Sequence, residues 1–320
     1  MVRNARFGVA VVCLVGCLSS VSISARPGNS EIPANMPKLL HIVFTSGMVA
    51  EMNPHDAAAA VQVFGEQIIK RRGLAMHPRV SICDGISDLQ KLIKNEEADL
   101  VSLRIDEYLK LEYSSQFQNA FMGMRNENWS ERYVLLTRNS DGLRNLADLR
   151  GKRLLSLSGR RTGLADEWLN TVLIESNLPE AAEFFGQVRT VPKISAAVLP
   201  VFFKQMDACL VTQSGFETMT QLNPQLGKEL SAIKVSPSIL PSLVCLKRDL
   251  IPFIKEGVHQ ALVELHQEVS GRQVLTLFSI DKLVPLTSAN LTGAVEVYSK
   301  YRRIARKTPL STTQSLRRTE

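Results

Sequence analysis

The feature that most constrains the fold is a repeated alternation of short apolar runs with amphipathic segments. Residues 39–44 (Leu-Leu-His-Ile-Val-Phe) are typical of a buried strand, and residues 53–72 carry apolar side chains at helical spacing. Residues 79–83 and 99–103 predict two further strands, with a helix over 85–94 between them. Strands and helices that alternate with short links indicate a parallel sheet covered by helices on both faces.

The alternation begins again near residue 133. The predicted strands there are 133–137, 153–157, 187–191, 207–211 and 232–235, and the predicted helices are 165–175, 195–205 and 216–222. A return strand over 242–247 and a helix over 251–269 follow. Two similar α/β halves, the last segment returning to the first, predict a hinged two-lobe α/β protein with a mostly parallel sheet in each lobe. A ligand is expected in the cleft, where the carboxyl ends of the strands meet.

The N-terminus has the layout of a secretory signal. Arg3 and Arg6 give a basic start, and an apolar run from Phe7 to Ile23 follows. This run is shorter and more polar than the ~20 apolar residues of a membrane-spanning helix. We therefore expect the mature protein to work outside the cytoplasm, in the periplasm.

Three interpretations of Cys17 stay open. The stretch Leu-Val-Gly-Cys over 14–17 is typical of a bacterial lipobox, in which Cys17 is lipidated and becomes the new N-terminus. The alternatives are cleavage near 22–25, or a Cys17 that is only one member of the apolar run. Lipidation is favoured, and residues 18–38 then form a flexible tether, so that the only membrane contact is the lipid.

These patterns divide the chain into predicted segments. They are a signal peptide (1–25), the tether (18–38), lobe 1 (39–137), lobe 2 (138–236), a return to lobe 1 with C-terminal helices (237–304) and a basic tail (305–320).

Composition and charge argue against a nucleic-acid partner. Without Arg3 and Arg6 the chain has 36 basic and 31 acidic side chains, a net charge of +5, and aromatic residues make up only 6%. A nucleic-acid-binding protein is expected to carry a denser basic stripe and more aromatic side chains for stacking.

The sequence carries no catalytic or metal-binding motif. HExxH, GxSxG and Walker-type loops are absent, and Cys83, Cys209 and Cys245 lack the CxxC spacing of a zinc site. Because their number is odd, we expect buried thiols and not a disulfide framework. The chain is therefore predicted to be a binding protein without metal or cofactor, and an envelope hydrolase is the disfavoured alternative.

A candidate anion site lies at the turn 158–163, which follows a predicted strand and opens a predicted helix. Backbone N–H groups and the positive end of the helix converge there. Ser158 and Thr162 add hydroxyl donors, and Arg160 and Arg161 add planar guanidinium groups that match phosphonate, phosphate or carboxylate oxygens. The alternative is that both arginines point to solvent and the final glycine only permits a tight turn. The anion site is favoured because open α/β sheets bind ligands at this edge.

Several local patterns follow one another in the order of a known protein family. They are Asn53-Pro54, Ala98-Asp99-Leu100-Val101 with Tyr108 downstream, Asp148-Leu149-Arg150-Gly151-Lys152, Arg161-Thr162-Gly163 and Met206-Asp207-Ala208-Cys209. Through these patterns, residues 38–270 resemble the periplasmic substrate-binding proteins of phosphonate, phosphite and phosphate ABC transporters. The resemblance implies a type II periplasmic binding protein fold, a small oxyanion ligand, an ABC permease as partner and a pocket-lining role for Tyr108.

The turn also departs from the family pattern. Relatives that bind phosphonate show Ser-Thr-Ser-Gly where this chain has residues 160–163 (Arg-Arg-Thr-Gly), and the family histidine near residues 193–195 is absent. Two cations in place of two hydroxyls predict a larger or more charged ligand than phosphonate. The alternative is a ligand-sensing role, with the periplasmic domain of a signalling receptor or histidine kinase as partner.

The complete predicted binding set draws on both lobes. Thr45 and Ser46 end the first strand, and Lys193 and Ser195 contribute from lobe 2. The set is Thr45, Ser46, Tyr108, Ser158, Arg160, Arg161, Thr162, Gly163, Lys193 and Ser195.

Overall fold

The computed structural model describes residues 38–71 and 76–305. The predicted signal peptide, Cys17, the tether up to residue 37 and the tail beyond residue 305 lie outside these residues. Within the described chain, no helix combines the length and the apolar character needed to cross a membrane.

Strands and helices alternate along the described chain and are numbered here in chain order. The strands are β1 (Leu39–Thr45), β2 (His77–Cys83), β3 (Leu100–Arg104), β4 (Phe117–Met124), β5 (Tyr133–Arg138), β6 (Arg153–Leu157), β7 (Gln187–Val191), β8 (Ala208–Thr212), β9 (Leu230–Val235), β10 (Ser242–Lys247) and β11 (Lys282–Pro285). The helices are α1 (Ser46–Val49), α2 (Pro54–Arg71), α3 (Gly85–Lys94), α4 (Ile105–Lys110), α5 (Ala165–Glu175), α6 (Ala181–Phe184), α7 (Ile194–Phe202), α8 (Gln213–Leu222), α9 (Pro224–Glu229), α10 (Pro252–Glu264), α11 (Val269–Leu277) and α12 (Ser288–Ala305).

The first sheet has six strands in the order β11-β4-β10-β3-β1-β2. β1 pairs in parallel with β2 and β3, as the alternating pattern predicts. The pairs β10-β3, β10-β4 and β11-β4 are antiparallel. The sheet is therefore mixed and not mostly parallel, since β10 returns directly from the second sheet without the crossover helix that a parallel neighbour needs.

The second sheet has five strands in the order β7-β6-β8-β5-β9. β6 is parallel to β7 and β8, whereas β5 is antiparallel to β8 and β9. The predicted boundary of lobe 1 at residue 137 is corrected here, because β5 lies inside the second sheet. All six residues of β5 are buried, so its apolar sequence predicts a strand without showing to which sheet the strand belongs.

Two segments, 125–132 and 236–241, connect the sheets and pair with each other. Glu131 and Ile239 exchange both main-chain hydrogen bonds, each at 2.8 Å. Helix α12 packs against α4 beside the first sheet and against α5 beside the second. We refer to the part of the chain around the first sheet as lobe 1 and to that around the second sheet as lobe 2.

The helix predicted over residues 251–269 is divided in two. α10 ends at Glu264, a 3-10 turn spans Leu265–Gln267, and α11 begins at Val269. A side chain at Gly271 would overlap the carbonyl oxygen of Leu265, so only glycine permits this close reversal of the chain. Because the chain reverses at this 3-10 turn, α10 and α11 both lie over the same face of the first sheet.

The three cysteines of the described chain are buried thiols, as the sequence predicts. Burial raises the pKa of the Cys83 thiol to about 12, and the nearby Glu107 carboxylate adds to this effect. The cysteines therefore behave as small apolar core residues.

Candidate functional site

The turn Ser158–Gly163 lies between β6 and α5, where the sequence places the anion site. The Ser158 N–H donates to the Val191 carbonyl at 2.9 Å, which fixes the start of the turn against β7. The Thr162 hydroxyl donates to the Gly159 carbonyl at 3.1 Å and closes the turn on itself. The hydroxyl of Thr162 is thus engaged within the turn, whereas Ser158 is exposed.

Two carboxylates of lobe 1 face this turn. Glu51, in the loop after α1, accepts a hydrogen bond from the Arg160 main-chain N–H at 3.0 Å. A Cβ at Gly159 would lie 2.5 Å from the same carboxylate oxygen, and one at Gly163 would overlap Oδ1 of Asp106. Both glycines are therefore required for the close approach of the two lobes.

Glu51 and Asp106 are not among the residues that the sequence predicts for the site. Glu51 precedes the family pattern Asn53-Pro54, and Asp106 lies two residues before Tyr108, so both neighbour recognised patterns. Asp106 is buried, and its Oδ1 has no hydrogen-bond partner. The turn thus meets an acidic surface of lobe 1, although its own N–H groups favour anions.

Arg160 is the buried cation of the site. Only 5% of the residue is exposed, and its Nη1 is buried without a hydrogen-bond partner. Its Cζ lies 5.9 Å from the centre of the Phe278 ring in lobe 1, within range of a cation–π contact. Burial lowers the pKa of this guanidinium, while Glu51 opposes the shift. Because arginine stays charged in proteins, Arg160 presents a dehydrated positive charge.

Arg161 has a different environment. Its Nε donates to Oε2 of Glu131 at 2.9 Å, and the Glu131 side chain is only 2% exposed. Glu131 also accepts hydrogen bonds from the Ser214 hydroxyl at 2.5 Å and from the Arg132 N–H at 3.1 Å. Arg161 therefore holds the turn against the connecting segment 125–132, and its charge is neutralised there.

The predicted contributors from the end of β1 are engaged in lobe 1. The Thr45 hydroxyl is fully buried and donates to Oε2 of Glu107 at 2.6 Å. The same oxygen accepts the Arg104 N–H at 2.8 Å, which caps α4. Ser46 is half-buried, and its hydroxyl donates to Asp84 at 3.1 Å. Both hydroxyls are thus bound to carboxylates of lobe 1.

An ion pair joins the lobes beside the turn. Lys110 Nζ lies 3.3 Å from Glu167, in the first turn of α5, and 3.7 Å from Asp106. Burial opposes the charge of Lys110, but Glu167 and Asp106 together raise its pKa. Burial also raises the pKa of Glu167, against the attraction of Lys110.

Three further residues of the predicted binding set are Tyr108, Lys193 and Ser195. Tyr108 packs against the apolar core, and Lys193 and Ser195 are exposed at the start of α7. Neither Lys193 nor Ser195 makes a hydrogen bond or ion pair with the turn among the residues that the structure describes. Those residues also contain no group of three or more His, Cys, Asp or Glu side chains that could hold a metal ion.

Comparison with known proteins identifies one matching family. The family of periplasmic substrate-binding proteins of phosphonate ABC transporters matches residues 46–291. None of the curated proteins matches the chain by sequence.

Solved structures show a similar fold at low sequence identity. A Xanthomonas citri protein bound to chloride has a TM-score of 0.64 and 11% identity, covering 85% of this chain and 100% of its own. A binding protein component of a Pseudomonas aeruginosa ABC phosphonate transporter has a TM-score of 0.57 and 11% identity, covering 85% and 89%. PhnD1 from Prochlorococcus marinus, in complex with methylphosphonate, has a TM-score of 0.55 and 14% identity, covering 85% and 100%. The predicted type II periplasmic binding protein fold is confirmed.

Proposed function

Since the chain belongs to the family of periplasmic substrate-binding proteins of phosphonate ABC transporters, we propose that its site at Arg160 captures a small oxyanion for an ABC permease. The observation that carries this proposal is Arg160, a buried residue whose guanidinium Nη1 has no hydrogen-bond partner. A buried charge without a hydrogen-bonding counter-charge is unfavourable, and an oxyanion would supply that counter-charge.

The Arg160 main-chain N–H provides a second donor beside the guanidinium. In the structure this N–H is bound to the Glu51 carboxylate at 3.0 Å. An entering phosphonate or phosphate would replace Glu51 as the acceptor, because it has more acceptor oxygens than a carboxylate and could accept from both donors at once. Glu51 thus acts as an internal competitor that an anion must displace.

Release of Glu51 would also link binding to the movement of the lobes. The paired segments 125–132 and 236–241 connect the lobes, and rotation about this connection would open and close the cleft. A ligand shifts the balance of open and closed states only through its differential affinity for them. An oxyanion held between Arg160 and lobe 1 would favour the closed state, whose surface the permease recognises. Anchoring through a lipid on Cys17 stays a prediction outside the described residues.

A thermal-shift screen of the mature protein, purified from a bacterial periplasm, tests this function. The ligands are methylphosphonate, phosphite, phosphate and sulfate, with chloride at matched ionic strength as the control. A ligand that binds only the folded state raises the melting temperature as its concentration rises. We expect at least one of the oxyanions, and not chloride, to do so. Equal melting temperatures in all solutions would contradict oxyanion binding.

A further inference from the structure

An apolar cavity of about 150 Å³ lies in lobe 1 between the first sheet and helices α2, α10 and α11. Phe44 of β1, Phe64 of α2, Val258 of α10 and Leu275 of α11 line it. Phe278 completes this wall and stacks on Phe44, with 5.3 Å between ring centres. A cavity of this size lowers the stability of a protein, because its lining atoms lose dispersion contacts.

One part of the cavity is charged and belongs to the other lobe. Arg160 and Arg161, from the turn after β6, line the cavity together with Trp129 of the connecting segment. Arg161 is neutralised by Glu131, whereas Nη1 of Arg160 has no hydrogen-bond partner. The Arg160 guanidinium lies against the ring of Phe278, so the cation directly adjoins the apolar wall.

From this arrangement we propose that the ligand is an amphiphilic oxyanion, with its head on Arg160 between the lobes and its apolar tail in the cavity of lobe 1. The inference rests on the proposed function and specifies the class of ligand. A small, fully polar anion would satisfy Arg160 but leave the cavity unfilled. A neutral apolar molecule would fill the cavity but leave the buried charge uncompensated.

The volume of the cavity sets the length of the tail. A cavity of about 150 Å³ in an apolar core admits benzene, so a tail of about six carbon atoms fits. The walls come from lobe 1, and the arginines come from lobe 2. Opening of the lobes would therefore expose the cavity to an entering tail, and closure would bring Arg160 onto the head.

Calorimetric titration of the wild-type protein with methyl-, butyl-, hexyl- and octylphosphonate tests the proposal. Each methylene that becomes buried is expected to lower the Kd about fourfold, up to about six carbons, beyond which the gain levels off. Hexanol tests the need for a charged head, while hexyl phosphate and hexanoate separate phosphorus oxyanions from carboxylates. We expect hexanol to bind at least ~100-fold more weakly than the best of the hexyl anions.

A cavity-filling variant locates the tail. Ala261, on α10, is buried and lines the cavity, so Ala261→Phe is expected to abolish the gain with chain length while the Kd of methylphosphonate stays unchanged. Ala196→Phe, at an exposed position of α7, is the matched control and should retain the full gain. If Ala261→Phe does not fold, the dependence of the wild-type Kd on alkyl chain length alone tests the proposal.

The outcomes distinguish this inference from the proposed function. Equal Kd values for methyl- and hexylphosphonate would overturn the amphiphilic ligand and leave oxyanion binding intact. A full chain-length gain in folded Ala261→Phe, or hexanol binding as tightly as the hexyl anions, would also overturn it. If no oxyanion of any length binds, both the inference and the proposed function fail.

Discussion

The Glu51 carboxylate accepts the main-chain N–H of Arg160 at 3.0 Å and so joins the loop after α1 to the turn after β6. This contact links the two lobes at the point where the sequence predicts an anion. A carboxylate of the chain itself is thus bound to a donor of the candidate site. Affinity for an external oxyanion then depends on how readily Glu51 is displaced.

Removal of this competitor should strengthen binding. We expect Glu51→Ala to lower the Kd of the tightest-binding oxyanion about three- to tenfold. In this variant the oxyanion no longer has to break the hydrogen bond between the Arg160 N–H and the Glu51 carboxylate. Titration calorimetry measures the change, with Asp56→Ala, another exposed acid nearby, as the control. Weaker binding by Glu51→Ala would instead show that Glu51 contacts the ligand.

Closure of the lobes depends on the absence of a side chain at Gly163. Gly163→Ala would place a methyl group against Oδ1 of Asp106 and hold the lobes apart. We expect the Kd of the oxyanion to rise at least ~10-fold, and small-angle scattering to show a larger radius of gyration.

The double variant Gly163→Ala/Asp106→Ala provides the control for this steric explanation. Residues in direct contact have non-additive effects, so the loss of Asp106 should restore part of the closure that Gly163→Ala removes. Strictly additive effects on affinity and radius of gyration would contradict the contact.

The two adjacent arginines should differ in their effect on stability. Arg161→Met removes the partner of the buried Glu131 and is expected to lower the free energy of unfolding by about 2–3 kcal/mol. Arg160→Met removes an incompletely paired cation and should be neutral or stabilising. Urea denaturation measures both, and a smaller loss for Arg161→Met than for Arg160→Met would contradict the assigned roles.

The pair Lys110–Glu167 predicts a pH dependence. Burial raises the pKa of Glu167 above its ordinary value of 4.5, so the folded state binds this proton more tightly than the unfolded state does. The contribution of Glu167 to stability should therefore fall as the pH rises from about 4.5 through the raised pKa of the folded protein. The difference in unfolding free energy between wild type and Glu167→Gln, measured from pH 4 to 7, isolates this effect. If wild type instead becomes more stable relative to Glu167→Gln as the pH rises, the pKa of Glu167 is lowered in the folded protein.

The alternating apolar pattern was sufficient to predict the parallel strands and the position of the turn. β4 and β11 were missed, because Gln118, Asn119 and Gly123 interrupt the apolar pattern of β4 and β11 has only four residues. β5 was recognised as a strand but placed in the wrong lobe. β5 belongs to the second sheet because it pairs with β8 and β9. The uniformly apolar sequence of β5 does not show which strands it pairs with.

The sequence pattern predicts only the part of the candidate site that the turn contributes. Arg160 and Arg161 are adjacent and chemically identical, and only the packing of the lobes distinguishes the buried, unpaired guanidinium from the one bound to Glu131. Glu51 and Asp106 reach the turn from distant parts of the chain. The cavity likewise combines β1, α2, α10 and α11, so no local pattern could reveal it.

The proposed function depends on the binding of an oxyanion head by Arg160. Calorimetric titration of Arg160→Met against wild type tests it most directly, because methionine keeps the apolar stem and removes the charge. Arg189→Met, at an exposed position of β7, is the matched control. We predict at least a ~10-fold rise in the Kd of the tightest-binding oxyanion for Arg160→Met, and no change for Arg189→Met. Equal affinity of Arg160→Met and wild type would contradict the account.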